Sequence, residues 1–404
     1  MNPADLVKNL NAAVNMGGAE NTLKISRSVE FYSSEEFFPV LKKIAPFGKV
    51  AVLYLKSSFL NFGKEITYAI KKLGLKPYNY VMPEGVALSF DNIFDVITLP
   101  EDVRAIIYFD GELNPLVNYV ATLSDTLSVY VARTPFVKGA LSPFICFDSG
   151  KRSDIFRITC KRLVFINFTA LQKSEDDAGK ILAYILSRYI SVIDGKIRSA
   201  AFGETFENAS ELILSAINYC RTHLDNADLS HLTYWAFMTE IAEFLSFGEI
   251  LKNSSAFSLT YLLKKTENFD FYLYSASKLF GVYLLYLQNN VGDLLSLPDY
   301  NARAKALSEK INGGFTAVAE GLIKQRKALK ENAEKINSAV SWLKENLSEI
   351  QSVAEDFKKA TEKLALSQET DNGEFSFAVK SCGDVPDTFN LMTLIRESGL
   401  AELI

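Results

Sequence analysis

The sequence of 404 residues predicts an α/β plus all-α architecture. Residues 1–172 read as a parallel-sheet domain and residues 173–404 as a helical domain. Three observations carry this. Short, continuously apolar, β-prone runs alternate with helix-period segments over the first 170 residues, the pattern of strands buried on both faces. From about residue 174 onward only the helical period remains. With 48% hydrophobic and 23% charged residues, the chain is long enough to bury two or three cores and is far from a disordered composition.

The first strand is KVAVLYLKS (49–57). A helix follows at 61–75, with Phe62, Ile66, Ala69, Ile70 and Leu73 at helical spacing and Gly74 as its stop. KPYNYVMP (76–83) returns to a strand that Pro83 ends, and 89–100 reads as a short helix bounded by Pro100. VRAIIYFDG (103–111) is the next buried strand, 113–124 a helix, and TLSVYVART (126–134) another strand. This order with short links predicts crossover helices on a parallel sheet. Ligands of such sheets bind at the C-terminal strand ends, here near 56–60, 109–115 and 133–142.

The second half continues with helices expected at 179–200, 210–220, 232–247, 257–265 and 271–288. Residues 303–368 are charged and rich in helix formers, so they predict one or two long amphipathic helices. Their apolar face at 318–366 is expected to pack on the domain or on a second subunit. A short loop, QETDNGEF, then precedes a final helix at 385–404.

Composition removes several classes of function. A net charge of −5 argues against a nucleic-acid partner held by phosphate charge. The most apolar stretch, 271–287, is interrupted by Lys278 and polar groups, so no membrane span is expected. Cys146, Cys160, Cys220 and Cys382 are scattered without a Cys-x-x-Cys pair, and no secretory leader is visible, which predicts a cytoplasmic protein. His223 and His231 are the two histidines of the chain, too few for a His-rich metal site and placed eight apart.

Three segments follow one another: IIYFDGELNPLVNYVA (106–121), VARTPFVKGALSP (131–143) and CKRLVFINFTALQ (160–172). They resemble the glycerol-1-phosphate dehydrogenases, in the superfamily of iron-containing alcohol dehydrogenases, glycerol dehydrogenases and dehydroquinate synthases. The tail VPDTFNLMTLIRESGLAELI is similar to that subfamily's terminal helix. The resemblance implies a Rossmann-like first domain, a dehydroquinate synthase-like fold and a homodimer. It also implies hydride transfer between NAD(P)H and dihydroxyacetone phosphate, with a divalent metal held by one Asp and two His.

Against that pattern the motifs depart. The family's glycine triplet, followed four positions later by Asp, corresponds to Phe109, Asp110, Gly111 and Pro115, of which only Gly111 is kept. Phe109 is expected to fill space that a phosphate needs. Asp110 sets a charge against it worth about 4 kcal/mol at about 4 Å and an effective dielectric of about 20. Pro115 suits a helix start but removes a backbone donor. At the next strand end Arg133 and Lys138 replace a small polar residue and an acid, while Thr134 lies between them and Gly139 and Ser142 keep their places. Two cations there bind an anion or stand as solvated loop charges. Tyr189 and Asp194 align with the family's helix, which puts Tyr184 at the metal-binding Asp. Phe257 and Tyr261 match the His-x-x-x-His segment, and Tyr274 the last ligand histidine. Neutral aromatics are poor metal ligands and pack well together.

Other groupings carry less. Cys220 and His223 form a conceivable nucleophile pair. Asp176, Asp177, Asp225 and Asp228 are explained by helix capping and macrodipole complementarity. The aromatic stripe Phe269, Phe271, Tyr272, Tyr274, Phe280, Tyr283 and Tyr286 reads as core, with a flat ligand site as the alternative. The expectation is a non-catalytic homologue of NAD(P)-dependent glycerol-1-phosphate dehydrogenase with neither metal nor nucleotide. It would bind a small phosphorylated metabolite or a protein partner at the interdomain cleft. The alternative is an active metal- and NAD(P)-dependent polyol-phosphate dehydrogenase using shifted residues.

Overall fold

A computed structural model describes residues 2–16, 29–46, 48–85, 99–100, 102–135, 137–148, 153–168, 171, 177–226, 228–266, 268–289, 300–311, 314–362, 364, 366 and 370–403. The chain divides into two compact units. The first comprises Met1–Phe147, Ile155–Asp177 and Ala227–Leu245; the second comprises Asp148–Asp154, Ala178–Asn226 and Ser246–Ile404.

The first unit is built on a six-stranded sheet whose pairings are all parallel. Its strands are β1 (Val29–Ser33), β2 (Lys49–Leu55), β3 (Lys76–Met82), β4 (Val103–Tyr108), β5 (Leu127–Ala132) and β8 (Arg162–Ile166), in the order β1-β8-β5-β4-β2-β3. The strands β6 (Phe144–Asp148) and β7 (Ser153–Arg157) form a separate two-stranded sheet. The expected α/β plus all-α class is therefore the observed one. Val50, Val52, Ala105, Ile107, Val129, Val131, Leu163 and Phe165 alternate along the central strands and meet Phe37, Leu41 and Ile70 from the helices Phe37–Ile44 and Lys64–Lys72. Each fully buried large apolar side chain contributes about 1.5–3 kcal/mol.

Several boundaries shift for identifiable reasons. The strand read at 49–57 ends at Leu55, and the chain turns helical at Lys56. The strands read at 103–111 and 126–134 end at Tyr108 and Ala132. The helix expected at 89–100 falls mainly on residues 86–98, outside those described. An N-terminal helix, Pro3–Asn15, was not evident from the apolar pattern; Asn2 caps it by accepting from the Asp5 amide (2.9 Å).

The second unit is helical. The helix expected at 179–200 is two, Asp177–Ser187 and Tyr189–Phe202. The Ser187 hydroxyl takes the Tyr184 carbonyl (2.6 Å), and the Arg188 amide bonds back only three residues to Ile185 (3.1 Å), which interrupts the α pattern. Gly203, at φ +72°, closes the second of them.

The expected pair of long helices over 303–368 is instead four: Tyr300–Ser308, Gly314–Glu331, Ala333–Glu345 and Leu347–Thr361. The last three are separated by Asn332 and Asn346, whose side-chain amides donate to carbonyls (Ala201 at 3.0 Å, Trp342 at 2.8 Å) while their backbones leave helical angles. Their apolar face, with Val318, Leu322, Ile336, Leu343, Ile350, Val353 and Phe357, is buried within the chain itself.

The loop read at 368–375 opens a helix, Asn372–Ser381, capped by Asp371. The final helix is confined to Leu391–Glu397, because Asp387 lies at φ +61° and Asn390 forms a capping box with Thr393. Gly383 has no room for a side chain: a Cβ there would stand 2.5 Å from the Met392 backbone. Among the described residues no helix is long and apolar enough to cross a membrane.

Candidate functional site

The strand ends of the first unit hold the residues singled out from sequence. Asp110 follows β4 and serves as a strap: its carboxylate accepts from the Leu55 amide (3.0 Å) and the Ser58 hydroxyl (2.5 Å) at the end of β2. Gly111 opens a short 3-10 turn, and Pro115 sits in the first turn of the helix Asn114–Leu123, as expected of a proline at a helix start. Phe109 corrects the expectation that its ring fills phosphate space. It is buried in the core, stacked on Tyr54 (5.6 Å) and edge-on to Phe62 (5.3 Å). The side chains gathered at that strand end are acidic. Burial, together with Glu84 and Asp110, raises the Glu112 pKa, so three carboxylates crowd this end of the sheet.

After β5 the loop is held from beneath. The Arg133 guanidinium lies 3.8 Å from the centroid of the Phe62 ring, a cation–π contact. Burial lowers its pKa against the opposing pull of Asp110 and Glu65. Thr134 is within hydrogen-bonding reach of the Tyr130 hydroxyl. The carbonyl of Lys138 accepts from Asn114 Nδ2 (3.1 Å), and those of Gly139 and Ala140 are each 3.5 Å from Asn118 Nδ2. Gly139, at φ +76°, occupies the left-handed region. Ser142 turns inward, with its hydroxyl 2.7 Å from Glu243 Oε1 and 2.7 Å from the Phe144 carbonyl. Asp110, after β4, thus acts by charge on Arg133, after β5, whereas Ser142 serves the packing of the loop.

The positions that the resemblance assigns to a metal lie in the second unit. Tyr184 is buried, and its hydroxyl accepts a hydrogen bond from the guanidinium of Arg188, itself buried. That guanidinium carbon stands 4.6 Å from the Tyr184 ring centroid and 5.9 Å from that of Tyr272. Phe257 stacks on Tyr261 (6.0 Å), and Tyr274 packs on Phe375 (5.3 Å) and Phe271 (6.1 Å). A divalent ion does not fit this set. Phe257 offers no donor atom, and the oxygen at position 184 is turned toward a fixed positive charge. Among the described residues no group of three or more His, Cys, Asp or Glu side chains is arranged to hold a metal ion.

Asp194, which the resemblance aligns with the family's helix together with Tyr189, is a buried hub. It accepts from the amides of Ser255 (2.7 Å) and Leu391 (3.0 Å) and from the Tyr283 hydroxyl (2.6 Å). Burial pushes its pKa up to about 6 despite these donors. The aromatic stripe is mostly core: Phe271, Tyr272, Phe280 and Tyr283 are buried. Cys220 is 0% exposed and burial drives its thiol far above the ordinary range, which removes it as a nucleophile. His223 stacks on Tyr219 (4.3 Å), and His231 pairs with Asp228 (2.8 Å). Asp228 also accepts from the His231 amide (3.2 Å), the capping role expected of it, while Asp176 lies outside the described residues.

Sequence reasoning missed Arg188, Glu240 and Glu243. Arg188 stands four residues after Tyr184, one helical turn, and that spacing was a usable signal. Glu240 and Glu243 are two carboxylates in the otherwise apolar helix Leu229–Leu245, both buried. Glu240 Oε2 stands 3.5 Å from the Leu141 amide, so the pair anchors the loop after β5.

No family model matches the chain, and no curated protein matches it in sequence. Solved structures do match in fold. An iron-containing alcohol dehydrogenase from Thermococcus thioreducens superposes with a TM-score of 0.57 over 92% of this chain and 97% of that one, at 12% identity. A glycerol dehydrogenase from Schizosaccharomyces pombe covers 85% of this chain and 94% of its own, with a TM-score of 0.48 and 12% identity. The fold is that of the iron-containing alcohol dehydrogenases. At this identity the likeness extends to the fold alone, and a fold hosts many functions.

Proposed function

We propose that the chain is a non-catalytic relative of the glycerol-1-phosphate dehydrogenases that binds a small phosphorylated metabolite without transferring hydride. The observation that carries this reading is the buried Arg188 guanidinium on the Tyr184 hydroxyl. In the family reaction a metal polarises the substrate oxygen as a Lewis acid. Here the matching position carries a neutral phenol that accepts from a permanent cation, beside aromatic side chains without donors. The nucleotide position supports the same reading, because Asp110, Glu112 and Glu84 repel a pyrophosphate where a glycine-rich turn would receive it.

Arg133 and Lys138 are the residues assigned to the phosphate ester. Arg133 makes no ion pair among the described residues, and its partial burial strengthens any contact with an anion. The Lys138–Ser142 backbone is held by Asn114, Asn118 and Glu240, so the loop needs little ordering on binding. A thermal-shift series tests the reading. Sugar phosphates should raise the melting temperature of the native chain and not that of the Arg133→Ala/Lys138→Ala variant. NAD(H), NADP(H), zinc and nickel should leave it unchanged. Joint stabilisation by a dinucleotide and a metal would return the protein to the active dehydrogenases.

A further inference from the structure

Strand β3 ends the six-stranded sheet, and among the described residues no strand pairs with its outer edge. The Lys76 amide donates to the Gly48 carbonyl (3.1 Å), so backbone groups at Lys76, Tyr78, Tyr80 and Met82 face β2. Alternation turns those of Pro77, Asn79 and Val81 outward. Proteins blunt such edges with proline, lysine or a covering element. Lys76 and Pro77 do so at the start of β3, but Asn79 to Met82 carry neither charge nor proline.

The opposite edge shows the contrast. On β1 the Asn11 side chain acts as a substitute strand, accepting from the Phe31 amide (2.9 Å) and donating to the Phe31 carbonyl (2.8 Å).

Along this edge the described surface is apolar at the centre and basic toward the start of β3 and the neighbouring helix. Val81 is 44% exposed, and Tyr68 is 62% exposed on the helix Lys64–Lys72. That helix is tied to β3 by a bond from Asn79 Nδ2 to Thr67 Oγ1 (2.9 Å). Lys64, Lys71 and Lys72 on that helix and Lys76 at the start of β3 are exposed against Glu65 and Asp102, whereas the far end of β3 is acidic, with Glu84 beside Asp110 and Glu112, in a chain whose net charge is −5. Two of the tyrosine rings here carry ammonium groups: Lys72 lies 4.6 Å from the Tyr68 centroid, and Lys76 lies 5.3 Å from that of Tyr78. Rings covered in this way do not serve as stacking platforms for bases, which favours a peptide over a nucleic acid.

We propose that the outer edge of β3 takes an extended, acidic segment of a partner protein as an added strand. Main-chain bonds would come from Asn79 and Val81, and the lysines would select for acidic side chains. The inference is independent of the phosphate site.

The test uses the full chain and a fluorescein-labelled peptide of alternating Glu and Val, followed by anisotropy. Saturable binding is expected, weakened about tenfold by Val81→Pro, the scale of one lost ladder bond. Lys72→Glu/Lys76→Glu should weaken it about fivefold, with a steep salt dependence. Val81→Asp leaves the backbone donors in place and should weaken it through charge, which guards against a proline variant that fails to fold. Hydrogen exchange at Asn79 and Val81 should slow in the complex. The proposal is overturned by absence of saturation, or by equal binding of a peptide interrupted with prolines. It is also overturned by tighter binding of an oligouridine at the same residues, or by displacement through self-association of the chain.

Discussion

Asp194 offers the sharpest quantitative consequence. Its carboxylate is 0% exposed and holds three donors, the Ser255 and Leu391 amides and the Tyr283 hydroxyl, while the Cys382 thiol lies within its field. Burial outweighs those donors and pushes its pKa from 3.8 up to about 6. An acid whose folded pKa lies above its unfolded one holds its proton more tightly when folded. Its contribution to stability is therefore fully present below the lower value, falls as the pH rises between the two, and is gone above the upper one. The whole span is worth about 3 kcal/mol, of which roughly half is present at about pH 5 and almost none at about pH 7.5.

Replacing Asp194 with Asn removes the titration at nearly constant volume. The native chain should then gain about 1–2 kcal/mol over Asp194→Asn between about pH 7.5 and about pH 5, or about 2–8 °C in melting temperature for a domain of this size. Trp342 in the second unit reports the transition by fluorescence in a Trp235→Phe background, since the chain has two tryptophans. Comparing the two proteins at each pH cancels the other titrating groups. Parallel pH curves for the two, or a gain at the higher pH, would refute the reasoning.

Three further outcomes follow from named contacts. Arg303 is buried between Asp384 and Glu397, and changing it to Met leaves, among the described residues, Asp384 only Arg396 at 3.6 Å and Glu397 only the Tyr300 hydroxyl at 2.5 Å, so Arg303→Met should cost about 3–5 kcal/mol by urea denaturation. Gly139→Ala forces a side chain onto a backbone at φ +76° and should cost about 1–2 kcal/mol, although the nearest atom to its Cβ is 3.9 Å away. Asn11→Ala orphans the Phe31 amide and carbonyl, and should lower stability by about 1–3 kcal/mol while speeding exchange at Phe31.

The parallel sheet was legible because β2, β4 and β5 are runs buried on both faces, which no other local structure explains at that length. The helical half was legible as a class, but not in its joints. Ser187, Asn332 and Asn346 break helices by side-chain bonds to nearby carbonyls, and such competition is decided by tertiary contacts that a periodicity does not contain. At the strand ends the sequence located the loop of Arg133, Lys138 and Gly139 and the acid at Asp110. It misplaced the Phe109 ring, because a residue just beyond a strand faces core or solvent according to a one-residue register. Glu240 and Glu243 belong to a helix that groups with the sheet, and sequence order alone placed it with the later helices.

The most direct test of the central claim is metal content and hydride transfer in one preparation. The full chain would be purified without chelator, analysed for iron, zinc and nickel, and assayed with NADH or NADPH and dihydroxyacetone phosphate. The account predicts no stoichiometric metal and no oxidation of the dinucleotide above background, since Arg188 holds Tyr184, the position that the resemblance gives to a metal ligand. A stoichiometric metal together with turnover that chelation abolishes would contradict it.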